Sequence, residues 1–188
     1  EALRRAPPGQ EAPPREAMVR ALCAAAGTAL AEGRTDDARG PLDEAESLSP
    51  DAPCVLLGRA RLAELTGDTE AALAGYRACV ESSPEAYDAY SALDRIHAAR
   101  GDLAALEELW SGMTSAHPER RHAWFCLGLA LERQHWYREA AQAYEEALRR
   151  APPGQEAPPR EAMERAIRCA EEEREQSSPD MVALPPGV

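Results

Sequence analysis

The sequence predicts an all-α protein built as a stack of similar helix-turn-helix units. Two observations lead to this expectation. Four prolines recur at intervals of 34 residues, namely Pro50, Pro84, Pro118 and Pro152. The composition is rich in Ala, Leu, Glu and Arg, which favour helices, and poor in β-branched residues. A constant repeat of this length is typical of a solenoid in which paired helices stack on their neighbours.

Counting back from each proline divides the chain into four blocks, 19–52, 53–86, 87–120 and 121–154. Within each block, large apolar residues recur at steps of three and four, the period of one helical face. Gly33, Gly67 and Gly101 fall at mid-block, where we expect the first helix to end in a left-handed conformation. The proline that closes each block stops the second helix.

The start of the second helix also carries a signal. Short polar side chains follow the mid-block glycine, and such side chains accept hydrogen bonds from free backbone N–H groups at a helix start. We therefore predict that Asp36, Thr69 and Asp102 cap the second helices.

The last block resembles the tetratricopeptide-repeat (TPR) family at nearly every marked position. The matching residues are Trp124, Leu127, Gly128 and Leu131 on the first helix, Ala140, Tyr144 and Ala147 on the second, and the closing Pro152. Weaker copies in the other blocks extend the resemblance to 136 of the 188 residues. The resemblance implies a right-handed α-solenoid in which the first helix of each pair lines a concave groove for a protein partner. It also implies that the chain is not an enzyme.

The two ends of the chain differ from the repeats. We predict a capping helix at 155–176, in which Pro158 and Pro159 suit a first helical turn and the residues after them are highly charged, followed by a flexible tail at 177–188. Residues 1–18 are identical to residues 146–163. The offset of 145 residues is not a multiple of 34, so repeat stacking does not explain it. A recent gene duplication or an artificial graft would produce it, and the lack of any drift between the copies favours the graft.

Charge is distributed unevenly between the two sets of helices. Summed over the four blocks, the first fourteen residues of each block carry a net charge of +2. The sixteen residues that form each second helix carry a summed net charge of −7. The resemblance places the first set in the groove, so the groove is predicted to be less acidic than the outer surface. Solubility alone would also explain charge on the outer face.

The predicted groove contains several cationic and aromatic side chains. Arg61 and Arg95 occupy the ninth position of neighbouring blocks, which the resemblance assigns to the groove, and they suit a carboxylate or an acidic peptide. Four further residues are predicted to line the same surface, namely Arg20, His122, Phe125 and Arg133. The alternative is that Arg61 and Arg95 only form ion pairs with Glu64 and with Asp88 or Asp94.

No motif in the chain predicts catalysis, a cofactor or a metal. The four histidines form no metal-binding motif, and no GxSxG or phosphate-binding glycine loop is found. The five cysteines form no CxxC pair, which favours free thiols packed as small apolar residues and a reducing, cytoplasmic location. A membrane-spanning segment is not predicted because no run of about 18 apolar residues occurs.

Composition and family resemblance together predict a protein-binding scaffold or adaptor. The partner is a protein or peptide, and the groove arginines suit an acidic one. With a net charge of −12, the chain is not expected to bind nucleic acid. Two other roles are consistent with the same residues: the regulatory arm of a larger enzyme, and a structural module that self-associates.

Overall fold

A computed structural model describes residues 14–177, and over this range the chain is all-α, with nine helices and no strand. The helices are α1 (Arg15–Ala31), α2 (Thr35–Leu48), α3 (Pro53–Leu65), α4 (Thr69–Ser82), α5 (Tyr87–Arg100), α6 (Leu103–Ala116), α7 (Arg121–Arg133), α8 (Tyr137–Arg149) and α9 (Ala157–Ser177). The predicted fold class of helix-turn-helix repeats is confirmed.

The helix starts follow the repeat length. α3, α5 and α7 begin at residues 53, 87 and 121, and α2, α4, α6 and α8 begin at 35, 69, 103 and 137. α1 departs from this spacing and begins at Arg15, directly after Pro14. It therefore starts inside the duplicated segment, and in the second copy the equivalent residues 160–163 lie in the first half of α9.

The turns inside the helix pairs use one backbone conformation. Gly33, Gly67 and Gly101 have φ values of +74°, +84° and +70°, which confirms their predicted left-handed conformation. His135 holds the equivalent place in the fourth pair, with φ of +63°. A side chain in this region costs roughly 1–2 kcal/mol. The His135 ring lies 2.8 Å, Nδ1 to hydroxyl oxygen, from Tyr137, which partly offsets that cost.

The N-terminal caps of the second helices agree only in part with the predicted ones. Asp102 caps α6, where its carboxylate accepts a hydrogen bond from the Ala105 N–H at 3.3 Å. In α4 the cap is Asp68 rather than Thr69, since Asp68 accepts from the Ala71 N–H at 3.1 Å. In α2, Asp36 lies one residue inside the helix and makes no capping bond. The predicted cap of α4 was one residue too far along the chain because Thr and Asp are both good N-cap residues. Only the backbone conformation decides which of the two neighbours precedes the helix.

The chain divides into two compact units, with the boundary inside α5 between Ala89 and Tyr90. We call residues 14–89 the N-terminal unit and residues 90–177 the C-terminal unit. In the N-terminal unit, α1 packs on α2 and α3, and α3 packs on α4. Its core is built mainly from small and aliphatic side chains, namely Ala26, Ala29, Leu30, Ala38, Leu42 and Leu62, with a second cluster of Val19, Ala45 and Val55.

The C-terminal unit packs α6 on α7, α7 on α8 and α8 on α9. Its core is formed by Leu131, Ala140, Ala143, Tyr144, Ala162 and Ala166. The last two belong to α9, so this helix covers the apolar face that α8 would otherwise expose, as predicted for a capping helix. Glu171–Glu173 lie on its exposed side. The predicted tail, from residue 178 onward, and residues 1–13 of the duplicated segment lie outside the described residues.

Candidate functional site

The structure places Arg61 of the predicted groove in an ion pair. Its Nη2 lies 2.6 Å from Oδ2 of Asp88, and the Arg61 side chain is 42% exposed. Of the three carboxylates named from the sequence as possible partners, Asp88 is the one that pairs with Arg61 in the structure. An exposed pair of this kind contributes only about 0–1 kcal/mol to stability, but it neutralises the charge that an acidic ligand would need.

Arg133 is also paired, through two hydrogen bonds rather than one. Both of its terminal nitrogens contact Asp94, at 2.5 and 2.7 Å, and the Asp94 side chain is only 14% exposed. The hydrogen bond to Asp94 raises the pKa of Arg133. Asp94, which the sequence suggested as a partner for Arg61 or Arg95, therefore bonds to Arg133. Arg20 and Arg95 are exposed on α1 and α5.

Aromatic rings form a continuous row in the C-terminal unit. Tyr90 stacks on Trp110 with ring centroids 5.2 Å apart, and His122 meets Tyr90 edge-on at 5.1 Å. Phe125 follows at 6.2 Å from His122 and lies 5.5 Å from Tyr144. His122 and Phe125, both predicted to line the groove, are thus the half-buried members of a row whose other members are buried.

A cavity of about 280 Å³ opens beside His122 and Phe125. Its walls come from α7, α8, the α8–α9 loop and the start of α9, through Arg121, His122, Phe125, Ala147, Gly154, Gln155, Pro158 and Pro159. The loop turns at Gly154, whose φ of +86° suits glycine, and the two prolines belong to the first turn of α9. We call this cavity the Phe125 pocket.

The Phe125 pocket has mostly apolar walls, and its lining includes one positively charged side chain, that of Arg121. Arg121 donates to the side-chain oxygen of Gln155 at 2.9 Å and to its backbone carbonyl at 3.3 Å. Among the described residues these are its polar contacts, and both acceptors are uncharged, so no carboxylate neutralises it. Arg121 thereby differs from Arg61 and Arg133.

A three-residue bridge fixes the helices that form the pocket. Glu132 on α7 accepts hydrogen bonds from Arg165 on α9 at 2.6 and 2.8 Å, and from the Tyr144 hydroxyl on α8 at 2.6 Å. The bond from Arg165, with that from Tyr144, holds the pKa of Glu132 below its usual value. Because three helices share one carboxylate, the bridge ties together α7, α8 and α9, the helices that carry most of the pocket lining.

The uncharged state of His122 yields a testable prediction. Burial, and secondly the neighbouring Arg121, lower the pKa of His122 to about 4. The unfolded chain takes up this proton near pH 6.5, so the contribution of His122 to stability is complete above that pH and is lost as pH falls toward 4. We expect the His122 ring signals in an NMR titration to stay unchanged from pH 8 to pH 5. A midpoint near 6.5 would contradict the burial described here.

Sequence reasoning identified two residues of the pocket and missed the rest. His122 and Phe125 were predicted as groove residues, but Arg121, Gln155, Pro158 and Pro159 were not. Pro158 and Pro159 were noted only as a helix start. The length of the connection between α8 and α9 could have indicated this site. Seven residues separate these two helices, whereas each earlier pair of consecutive helices is separated by four residues or fewer.

Two further properties of the described residues bear on function. Between residues 14 and 177 no group of three His, Cys, Asp or Glu side chains is arranged to hold a metal ion. In the same range, no helix is both long and apolar enough to span a membrane.

The helix pairs, their left-handed turns and the small residues between them define a helical-repeat protein. Comparison with known families agrees, since two family models described as tetratricopeptide repeat match residues 23–87 and 122–153. The matches of 65 and 32 residues together cover 97 of the 188 residues. The chain belongs to the tetratricopeptide-repeat family, whose members are in general protein-interaction modules.

Several solved structures resemble the chain at low identity. MamA from Desulfovibrio magneticus RS-1 is 17% identical, with a TM-score of 0.46 over 86% of this chain and 98% of that chain. Another MamA crystal structure is 16% identical, with a TM-score of 0.47 over 91% of this chain and 100% of that chain. A mutant Thermobaculum terrenum O-GlcNAc transferase is 19% identical, with a TM-score of 0.47 over 74% of this chain but 27% of that chain. No curated protein sequence matches the chain significantly.

Proposed function

We propose that this chain is a protein-interaction scaffold that binds an extended partner segment through the Phe125 pocket. The observation that supports the proposal is a mostly apolar cavity whose lining includes Arg121, an arginine that no carboxylate of the described residues neutralises. A cavity of about 280 Å³ is close to the lower end of the range of small-molecule sites, so it suits one large side chain rather than a whole ligand.

The chemistry of the pocket defines the segment it would accept. The Phe125 ring and two prolines favour an aliphatic or aromatic side chain, which gains free energy by leaving water. Arg121 favours a carboxylate next to that side chain, either from Asp or Glu or from a chain terminus. Its guanidinium can form a charge-assisted hydrogen bond, which is stronger than a neutral one.

This proposal keeps the acidic partner predicted from the sequence and changes the residues that recognise it. Arg61 and Arg133 already hold carboxylates of the chain itself, so a ligand would have to displace Asp88 or Asp94. A ligand carboxylate could bind Arg121 without displacing another carboxylate, because Arg121 contacts only uncharged oxygens of Gln155 among the described residues. The groove residues predicted from the sequence, Arg20, Arg61, Arg95 and Arg133, stay a prediction.

Selection of binders from a random peptide library tests the proposal. We expect the selected peptides to share an apolar residue followed or preceded by a carboxylate. Replacing Arg121 with glutamate should weaken their binding by about ten- to a hundredfold, because losing a charge-assisted contact costs about 1.5–3 kcal/mol. Arg138→Glu makes the same charge change on the exposed surface of α8, outside the pocket, and should alter affinity by less than about threefold.

A double-mutant cycle separates the pocket from general electrostatics. The peptide carboxylate is replaced by an amide and measured against Arg121→Gln. If the two groups contact each other, each change alone weakens binding and the two together add little more. Additive losses, or peptides without a shared apolar residue, would contradict the proposal.

The regulatory-arm and self-association roles, which the sequence left open, gain no specific support from the described residues. Both stay predictions.

A further inference from the structure

Two cysteines that are far apart in the sequence belong to one side-chain cluster of the N-terminal unit. Cys23 belongs to α1 and Cys54 to α3, and these two helices pack directly on each other. Both side chains pack against the same buried cluster of Val19, Ala45 and Val55. The Cys54 side chain is near enough to Cys23 to contribute, after burial, to the raised pKa of the Cys23 thiol. No local pattern indicates this proximity, because 30 residues lie between the two cysteines in the sequence.

Both thiols are within reach of solutes. Cys23 and Cys54 are half-buried, whereas the nearby Cys79 is buried and donates its thiol hydrogen to the Pro53 carbonyl at 3.5 Å. A small oxidant can therefore reach the pair, but not Cys79. A disulfide requires two cysteines on elements that approach each other closely. Cys23 and Cys54 lie on two helices that pack directly on each other, and both contact the same buried cluster.

We propose that Cys23 and Cys54 are an oxidative modification site, at which a low-molecular-weight disulfide converts the two thiols into a covalent link between α1 and α3. The link would join the first helices of two successive repeats. It would thereby restrict the motion of one repeat relative to the next inside the N-terminal unit.

The roles of the two cysteines follow from their environments. Burial, and secondly the neighbouring Cys54 side chain, raise the pKa of Cys23 to about 12, so Cys23 is a poor initial nucleophile. Cys54 is therefore the attacking residue, and Cys23 the resolving one.

The exchange proceeds in two balanced steps. The Cys54 thiolate attacks one sulfur of the disulfide RSSR, an S–S bond to Cys54 forms, and RS⁻ leaves and takes up the proton that Cys54 released. Cys23 then loses its proton and attacks the Cys54 sulfur, which expels the second RS⁻, and that thiolate takes up the proton. The protein loses two electrons and two protons, and RSSR is reduced to two RSH.

Oxidised glutathione is the probe for the test. The full chain is equilibrated in glutathione buffers of stepwise redox potential, remaining thiols are alkylated, and the chain is digested with trypsin. Cleavage after arginine places Cys23 in peptide 21–34, Cys54 in peptide 40–59 and Cys79 in peptide 78–95. We expect a linked 21–34/40–59 product, and a rise in melting temperature of roughly several degrees that a reductant reverses.

Single substitutions define the specificity. Cys54→Ser and Cys23→Ser should each abolish the link, and circular dichroism verifies that each variant folds. Cys54→Ala serves as a second variant if the serine is not tolerated. Cys169→Ser changes another half-buried cysteine, on α9, and should leave the link intact. Glutathione mixed disulfides without the linked product, or a link that forms equally well in denaturant, would overturn the proposal.

Discussion

Replacing Gly128 with tryptophan is expected to unfold the C-terminal unit at much lower denaturant than the unsubstituted chain. A Cβ atom at Gly128 would lie 2.5–2.9 Å from three carbons of the Tyr144 ring, closer than side chains approach in folded proteins. Tyr144 cannot move aside, because it is fully buried and its hydroxyl donates to Glu132 at 2.6 Å. Overpacking a filled core costs typically about 1–3 kcal/mol, and we expect at least the upper value here.

Gly112→Trp provides the matched control. Gly112 lies on the exposed side of α6, and a Cβ built there meets no atom within 4 Å. The same substitution should therefore change the free energy of unfolding by less than about 1 kcal/mol, since tryptophan has a better helix propensity than glycine. Urea unfolding followed by circular dichroism measures both variants. Equal stability of the two would show that α7 and α8 are not in close contact at Gly128.

Trp110→Ala is expected to have an effect of similar size for the opposite reason. The Trp110 side chain is fully buried in α6 and stacks on Tyr90, with an angle of 17° between the ring planes. Its removal leaves a cavity beside the aromatic row, and such truncations cost about 3–5 kcal/mol. The transition in urea should shift accordingly, and the cavity should also loosen Tyr90 and its neighbour His122.

The chain supplies a control of the same residue type. Trp136 is 48% exposed at the start of α8, so Trp136→Ala removes little buried surface and should cost less than about 1 kcal/mol. If the two tryptophan variants lost similar stability, the burial of Trp110 would be contradicted.

The prediction succeeded where a structural feature depends on neighbouring residues. The helix starts at 53, 87 and 121 fall three residues after Pro50, Pro84 and Pro118, because proline cannot continue the preceding helix. The left-handed turns fell at Gly33, Gly67 and Gly101, since glycine adopts positive φ without steric cost. His135 adopts the same conformation, and no local pattern indicated it.

The prediction failed, or left alternatives open, wherever two helices had to meet. Asp88 and Asp94 were predicted from the sequence as partners for the groove arginines. The sequence did not indicate that Asp94 bonds to Arg133, which is 39 residues away. The Phe125 pocket likewise combines α7, α8 and the start of α9. The identity of its lining residues depends on the length and path of the connection before α9.

The sequence by itself determined the repeat, the positions of the helices and the family, because these features follow from backbone geometry and from apolar residues at local spacings. The tertiary structure alone decided which distant side chains meet: Arg61 with Asp88, Arg133 with Asp94, and Arg121 with Gln155. Such pairs depend on the rotation and register of each helix against the next. That arrangement is set by the packing of many side chains together, so no short segment of the sequence specifies it.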